Sequence, residues 1–138
     1  MRTIRVLLFV EALAFAGAAL IHFGVILAGY EHQKASVAET AIAAALLVAW
    51  AIACVRPQWT RRAGVVAQGF ALMGTLLGLS MIFIGPGPQT MPDLVYHIAI
   101  AAVLAAGLVM AGRAREKMLP VSPRRSSRRR RTTTTAAP

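Results

Sequence analysis

Residues 37–62 read VAETAIAAALLVAWAIACVRPQWTRR, and this stretch decides the class of the fold. From Val37 to Val55 the chain is apolar except for Glu39 and Thr40. About 19 residues rising about 1.5 Å each come close to the roughly 30 Å of a bilayer's hydrocarbon core. Arg56-Pro57 stops the run, because proline lacks the N–H that a continuing helix needs. Trp59 suits a membrane–water interface, and Arg61 and Arg62 fix the next helix at that surface.

Working outward, three more stretches have the same character: residues 6–29, 63–84 and 92–112. The expected fold is all-α, an integral membrane antiparallel four-helix bundle with helices at about 6–29, 37–55, 63–84 and 92–112. Together these form one transmembrane domain over residues 1–112, consistent with a chain of 138 residues that is 57% hydrophobic. Fourteen of the fifteen Lys and Arg flank one side of this plan, and only Lys34 falls in the other two connections. By the positive-inside rule both termini are cytoplasmic, as expected for a multi-pass protein of a bacterial-type inner membrane. Glu11 interrupts the first apolar run, and apolar residues continue to Gly29, so a retained helix fits better than a cleaved signal peptide.

Residues 113–138 change composition: eight Arg, one Lys and few apolar residues predict a disordered Arg-rich cytoplasmic tail. Arg124, Arg125, Arg128, Arg129, Arg130 and Arg131 form a cluster suited to anionic lipid head groups. The net charge of +10 therefore points to a membrane surface rather than to nucleic acid. Cys54 is the single cysteine, which excludes an intrachain disulfide and any multi-cysteine metal site.

Local signals refine the plan. Tyr30 marks an interface, residues 31–34 form a polar outer turn, and Ser36-x-x-Glu39 reads as a capping box opening helix 2. Thr60 is the expected N-cap of helix 3, and Pro92 sits in the first turn of helix 4. Residues 85–88, GPGP, predict a rigid turn. Gly74 and Gly78 form a GxxxG pair that favours close helix approach, within the bundle or in a homo-oligomer or membrane complex.

Polar groups inside spans are costly, so each is a candidate site. His22, about eight residues from the outer end of helix 1, and His97, about five or six into helix 4, reach similar depths. With Glu39, Ser80 and Tyr96 they predict a polar ligand-binding pocket open to the outside. Asp93 reads as a first-turn carboxylate that favours the helix dipole. Glu11 and Gln68 match in depth on the cytoplasmic side, which makes them a candidate intramembrane proton site.

The plan resembles the DoxX-like small bacterial membrane proteins, on the segment AGAALIHFG of helix 1 and the Ala/Leu-rich helices 2 and 4. Some of that group are linked to quinone-coupled sulfur oxidation, but no residue here matches a catalytic signature. Glu11 also looks like the helix-1 carboxylate of small multidrug resistance transporters, although helix 3 here lacks the Trp of their signature. Three functions follow as expectations: an accessory or small-ligand-binding protein, a proton-coupled transporter using Glu11, or a redox subunit binding haem, metal or quinone through His22 and His97.

Overall fold

The structure is a computed structural model that describes residues 1–85 and 90–114. The described residues form four α-helices: α1 (Arg2–His22), α2 (Gln33–Val55), α3 (Thr60–Ile84) and α4 (Met91–Arg113). A short 3-10 turn, Pro57–Trp59, links α2 to α3. All four helices are long and apolar enough to cross a membrane. Residues 115–138 of the Arg-rich tail and residues 86–88 of the GPGP turn lie outside the described residues.

Each helix buries one narrow stripe. On α4 it is Asp93, His97, Ile100, Leu104, Gly107 and Ala111, spaced alternately by four and three residues. Such spacing keeps side chains on one face of a helix. Ile4, Leu8, Ala12 and Phe15 of α1, Ile42 and Leu46 of α2, and Ala67 and Ala71 of α3 complete the core. The outward faces are as apolar as the stripes: Val66, Phe70, Phe83 and Val95 are all exposed. Conversely, Glu11, His22, Glu39, Gln68, Thr75, Asp93 and His97 are buried. Apolar surroundings and polar groups turned inward are what a hydrocarbon solvent requires.

Helix α1 packs mainly on α2, α2 on α3, and α3 on α4, while α1 meets α3 and α4 more lightly. Glycines bring α3 close to its neighbours. A Cβ at Gly74 would lie 2.8 Å from Ile42 Cδ1, and one at Gly78 would lie 3.1 Å from His97 Nε2. The GxxxG pair therefore serves approaches within the chain, to α2 and to α4.

Helix 1 differs from expectation. It begins at Arg2 and ends at His22, seven residues before Gly29. Gly24 and Gly29 take φ of 74° and 89°, which right-handed helix cannot continue through. The loop then folds back on the helix end. The N–H of His32 donates to the carbonyl of His22 at 2.9 Å. The Gly29 N–H donates to both Glu31 carboxylate oxygens, at 3.1 and 2.9 Å. Those backbone bonds hold the Glu31 carboxyl below its usual pKa, since they favour the charged form.

The expected capping box of helix 2 does not form. Helix α2 starts earlier, at Gln33, and His32 is its N-cap, with Nδ1 accepting from the Ala35 N–H at 3.2 Å. Ser36 and Glu39 thus lie inside the helix, where the Ser36 hydroxyl donates to the Gln33 carbonyl. Thr60 is likewise the first residue of α3 rather than its cap, and its hydroxyl bonds back to Pro57 O at 2.8 Å. On α4, Thr90 is the N-cap and accepts from the Asp93 N–H.

Candidate functional site

The polar groups form two clusters at different heights. The first lies at the end of the bundle where α1 joins α2 and α3 joins α4. Because α1 stops at His22, this side chain sits at the helix terminus, level with the first turn of α4. Its Nδ1 lies 2.7 Å from Glu39 Oε2 of α2, and its Nε2 lies 3.1 Å from Asp93 Oδ1 of α4. One imidazole therefore joins three helices through two carboxyl groups, all buried. The Thr90 hydroxyl donates to Asp93 Oδ2, which fixes the second oxygen of that carboxyl. Glu39 Oε1 is buried with no hydrogen-bond partner among the described residues.

The other predicted pocket residues take separate positions. His97 does not reach His22 directly; Asp93 lies between them. The Asp93 side chain meets His22, and its backbone carbonyl accepts from His97 Nδ1 at 2.8 Å. The other ring nitrogen of His97, Nε2, faces Gly78. Tyr96 stacks edge-on against Phe15 and His97, with centroids 6.3 and 5.4 Å apart. Its hydroxyl is buried and unpartnered among the described residues. Ser80 turns to its own helix, donating to the Leu77 carbonyl at 2.7 Å, and takes no part in the cluster.

Beside this cluster a cleft of about 490 Å³ opens between α1 and α4. Leu13, Ala14, Gly17, Ala18 and Ile21 form its α1 wall, and Pro92, Asp93 and Tyr96 its α4 wall. His22, Leu27 and Tyr30 close it at the loop end. Small side chains on α1 and the light contact between α1 and α4 create the space. A largely apolar cleft with a few convergent polar groups, within about 300–1,000 Å³, has the form of a small-molecule site.

The second cluster lies deeper, toward the chain termini. Gln68 Nε2 of α3 donates to both carboxyl oxygens of Glu11 of α1, at 3.2 and 3.1 Å. Both residues are almost wholly buried, at 1% and 0% exposure. Gly107 of α4 lies against them; a Cβ there would stand 2.2 Å from Gln68 Nε2 and 3.0 Å from Glu11 Oε1.

Two contributors escape the sequence reading. Asp93 carries an adequate signal as a carboxylate one turn into a span, but the expected helix end at Gly29 places His22 a level too deep to meet it. Gly107 carries almost none, since glycine among many alanines is ordinary in such a helix. As for cofactors, both ring nitrogens of His22 already face carboxyl oxygens, which leaves no lone pair free for a metal or haem iron. Among the described residues no three His, Cys, Asp or Glu side chains are placed to hold a metal ion. Comparison with known proteins finds no matching family model, no matching curated protein and no matching solved structure.

Proposed function

We propose that this chain is a small multi-pass protein of a bacterial-type inner membrane, DoxX-like in architecture, that binds a small, largely apolar ligand. The site is the α1–α4 cleft near the outer face. Both termini are cytoplasmic in this reading, supported by the distribution of Lys and Arg. The observation that carries the proposal is the cleft itself: apolar walls of a suitable volume ending on His22, Asp93 and Tyr96. Tyr96, whose buried hydroxyl has no hydrogen-bond partner among the described residues, adds a polar group to the cleft wall. The Arg-rich tail would hold the cytoplasmic face against anionic lipid.

A second reading, proton-coupled transport through Glu11, draws on its burial against Gln68 on the same α1 stripe as His22. The redox reading has less support, since His22 offers no free nitrogen.

The test is saturable binding of 4-phenylbutanol to the protein in nanodiscs, measured by equilibrium dialysis against empty nanodiscs. Gly17 lines the cleft and has nothing within 4 Å of where a Cβ would stand, so Gly17→Leu places its side chain in the cleft. Saturable binding that Gly17→Leu abolishes is expected. Uptake equal to that of empty nanodiscs, or unaffected by Gly17→Leu, would overturn the proposal.

A further inference from the structure

The charge balance at the head of the cleft selects a ligand class. Two N···O hydrogen bonds flank the single imidazole of His22, at 2.7 and 3.1 Å. Each bond needs one proton. The two protons reside either both on the ring, as imidazolium between two carboxylates, or one on the ring and one on a carboxyl group. In both arrangements the three groups together carry one net negative charge. Among the described residues no Lys or Arg lines the cleft to balance it.

The unmet hydrogen-bonding demand has the same sign. Glu39 Oε1 is an acceptor, buried and without a hydrogen-bond partner among the described residues. Asp93 Oδ1 already shares His22, and Oδ2 already takes the Thr90 hydroxyl. Positive charge is what this site lacks. The rings of Tyr30 and Tyr96 on the cleft wall favour a cation as well, through their electron-rich faces.

The geometry of the opening adds the rest of the class. Leu13 is nine residues before His22 on α1, so the cleft runs roughly 13–14 Å along the helix. Leu13 and Leu27 at its margins are each about half exposed on the outward apolar surface, at 54% and 49%. An occupant therefore has its apolar body toward the hydrocarbon and its head at His22 and Asp93.

Resting on the reading of the cleft as a ligand site, we infer that its ligand is a lipophilic cation, an organic ammonium whose head meets the His22–Asp93–Glu39 group. The experiment uses three probes with one phenylbutyl body: 4-phenylbutylammonium, 4-phenylbutanol and 5-phenylpentanoate. Binding is measured with the full chain in nanodiscs of zwitterionic lipid, so that lipid charge does not enrich any probe, with empty nanodiscs as blank. The ammonium should bind at least about tenfold more tightly than the alcohol, as a charge-assisted contact implies, and the carboxylate most weakly. Asp93→Asn should bring the ammonium-to-alcohol ratio toward one, and Glu39→Gln should act in the same direction. The wild-type ratio is decisive even where a variant fails to fold. Alcohol or carboxylate binding as tightly as the ammonium would overturn the cation inference and leave the cleft reading standing. Saturable binding of none of the three would overturn both.

Discussion

Replacing Gly107 by Ala adds one methyl group where three helices meet. The new Cβ would stand 2.2 Å from Gln68 Nε2 and 2.9 Å from Gln68 Cδ, well inside contact distance. Either α4 withdraws or the Gln68 amide swings away from Glu11. Overpacking of this kind costs about 1–3 kcal/mol. If the amide swings away instead, loss of its bonds to a buried carboxyl costs about 1.5–3 kcal/mol. The gain in helix propensity returns about 0.5–1 kcal/mol. The net expectation is destabilisation of about 1–2 kcal/mol. Gly69→Ala is the matched control, on a helix and with nothing within 4 Å of its Cβ position, and should be neutral or slightly stabilising. Unfolding in mixed micelles by increasing SDS, followed by circular dichroism, reads both. Adding Gln68→Ala to Gly107→Ala should remove the clash, so the double variant should lose less stability than the sum of the two singles. Equal stability of Gly107→Ala and Gly69→Ala would refute the packing of α4 on the Glu11–Gln68 pair.

Two other predictions concern topology and the loop. Alkaline phosphatase fused after Lys34 or Gln89 should be active in the periplasm, and fused after Gln58 or Lys117 inactive; the reverse pattern would invert the orientation. The Gly29 N–H bonds favour ionised Glu31, so the carboxylate's contribution to loop order is full above its ordinary pKa of 4.5 and fades as pH falls through the lowered value. The Gly29 amide resonance should therefore titrate with a midpoint below 4.5, and a midpoint at or above it would show that the bond is absent.

The spans are legible because apolar length is a property of composition, and a run such as 37–55 admits few alternatives. The end of helix 1 is not. The segment FGVILAG, residues 23–29, is apolar enough to belong to a span, and hydropathy does not separate a helix from an apolar loop lying at its end. What ends the helix is conformational: two glycines at positive φ and the carboxylate of Glu31 folded back on Gly29. The consequence for the site is direct. With the end at Gly29, depth matching pairs His22 with His97. With the end at His22, the partner moves one helical turn, from His97 to Asp93. The same depth matching does bring Glu11 and Gln68 together, because α1 and α3 both start earlier than expected, by four and three residues, and the two shifts nearly cancel. Glu39 shows a different limit. Its spacing from Ser36 fits a cap, yet the same residue one turn inside the helix reaches His22, and only the start of α2 at Gln33 decides between them.

The central claim is that a ligand seats between α1 and α4, and methyl resonances report it most directly. Ala14 and Ala18 line the cleft, whereas Ala49 of α2 and Ala71 of α3 belong to the buried core away from it. With alanine methyls labelled in the full chain in nanodiscs, titration with 4-phenylbutylammonium should shift Ala14 and Ala18 saturably and leave Ala49 and Ala71 in place. Shifts spread evenly over all four, or confined to Ala49 and Ala71, would contradict the account.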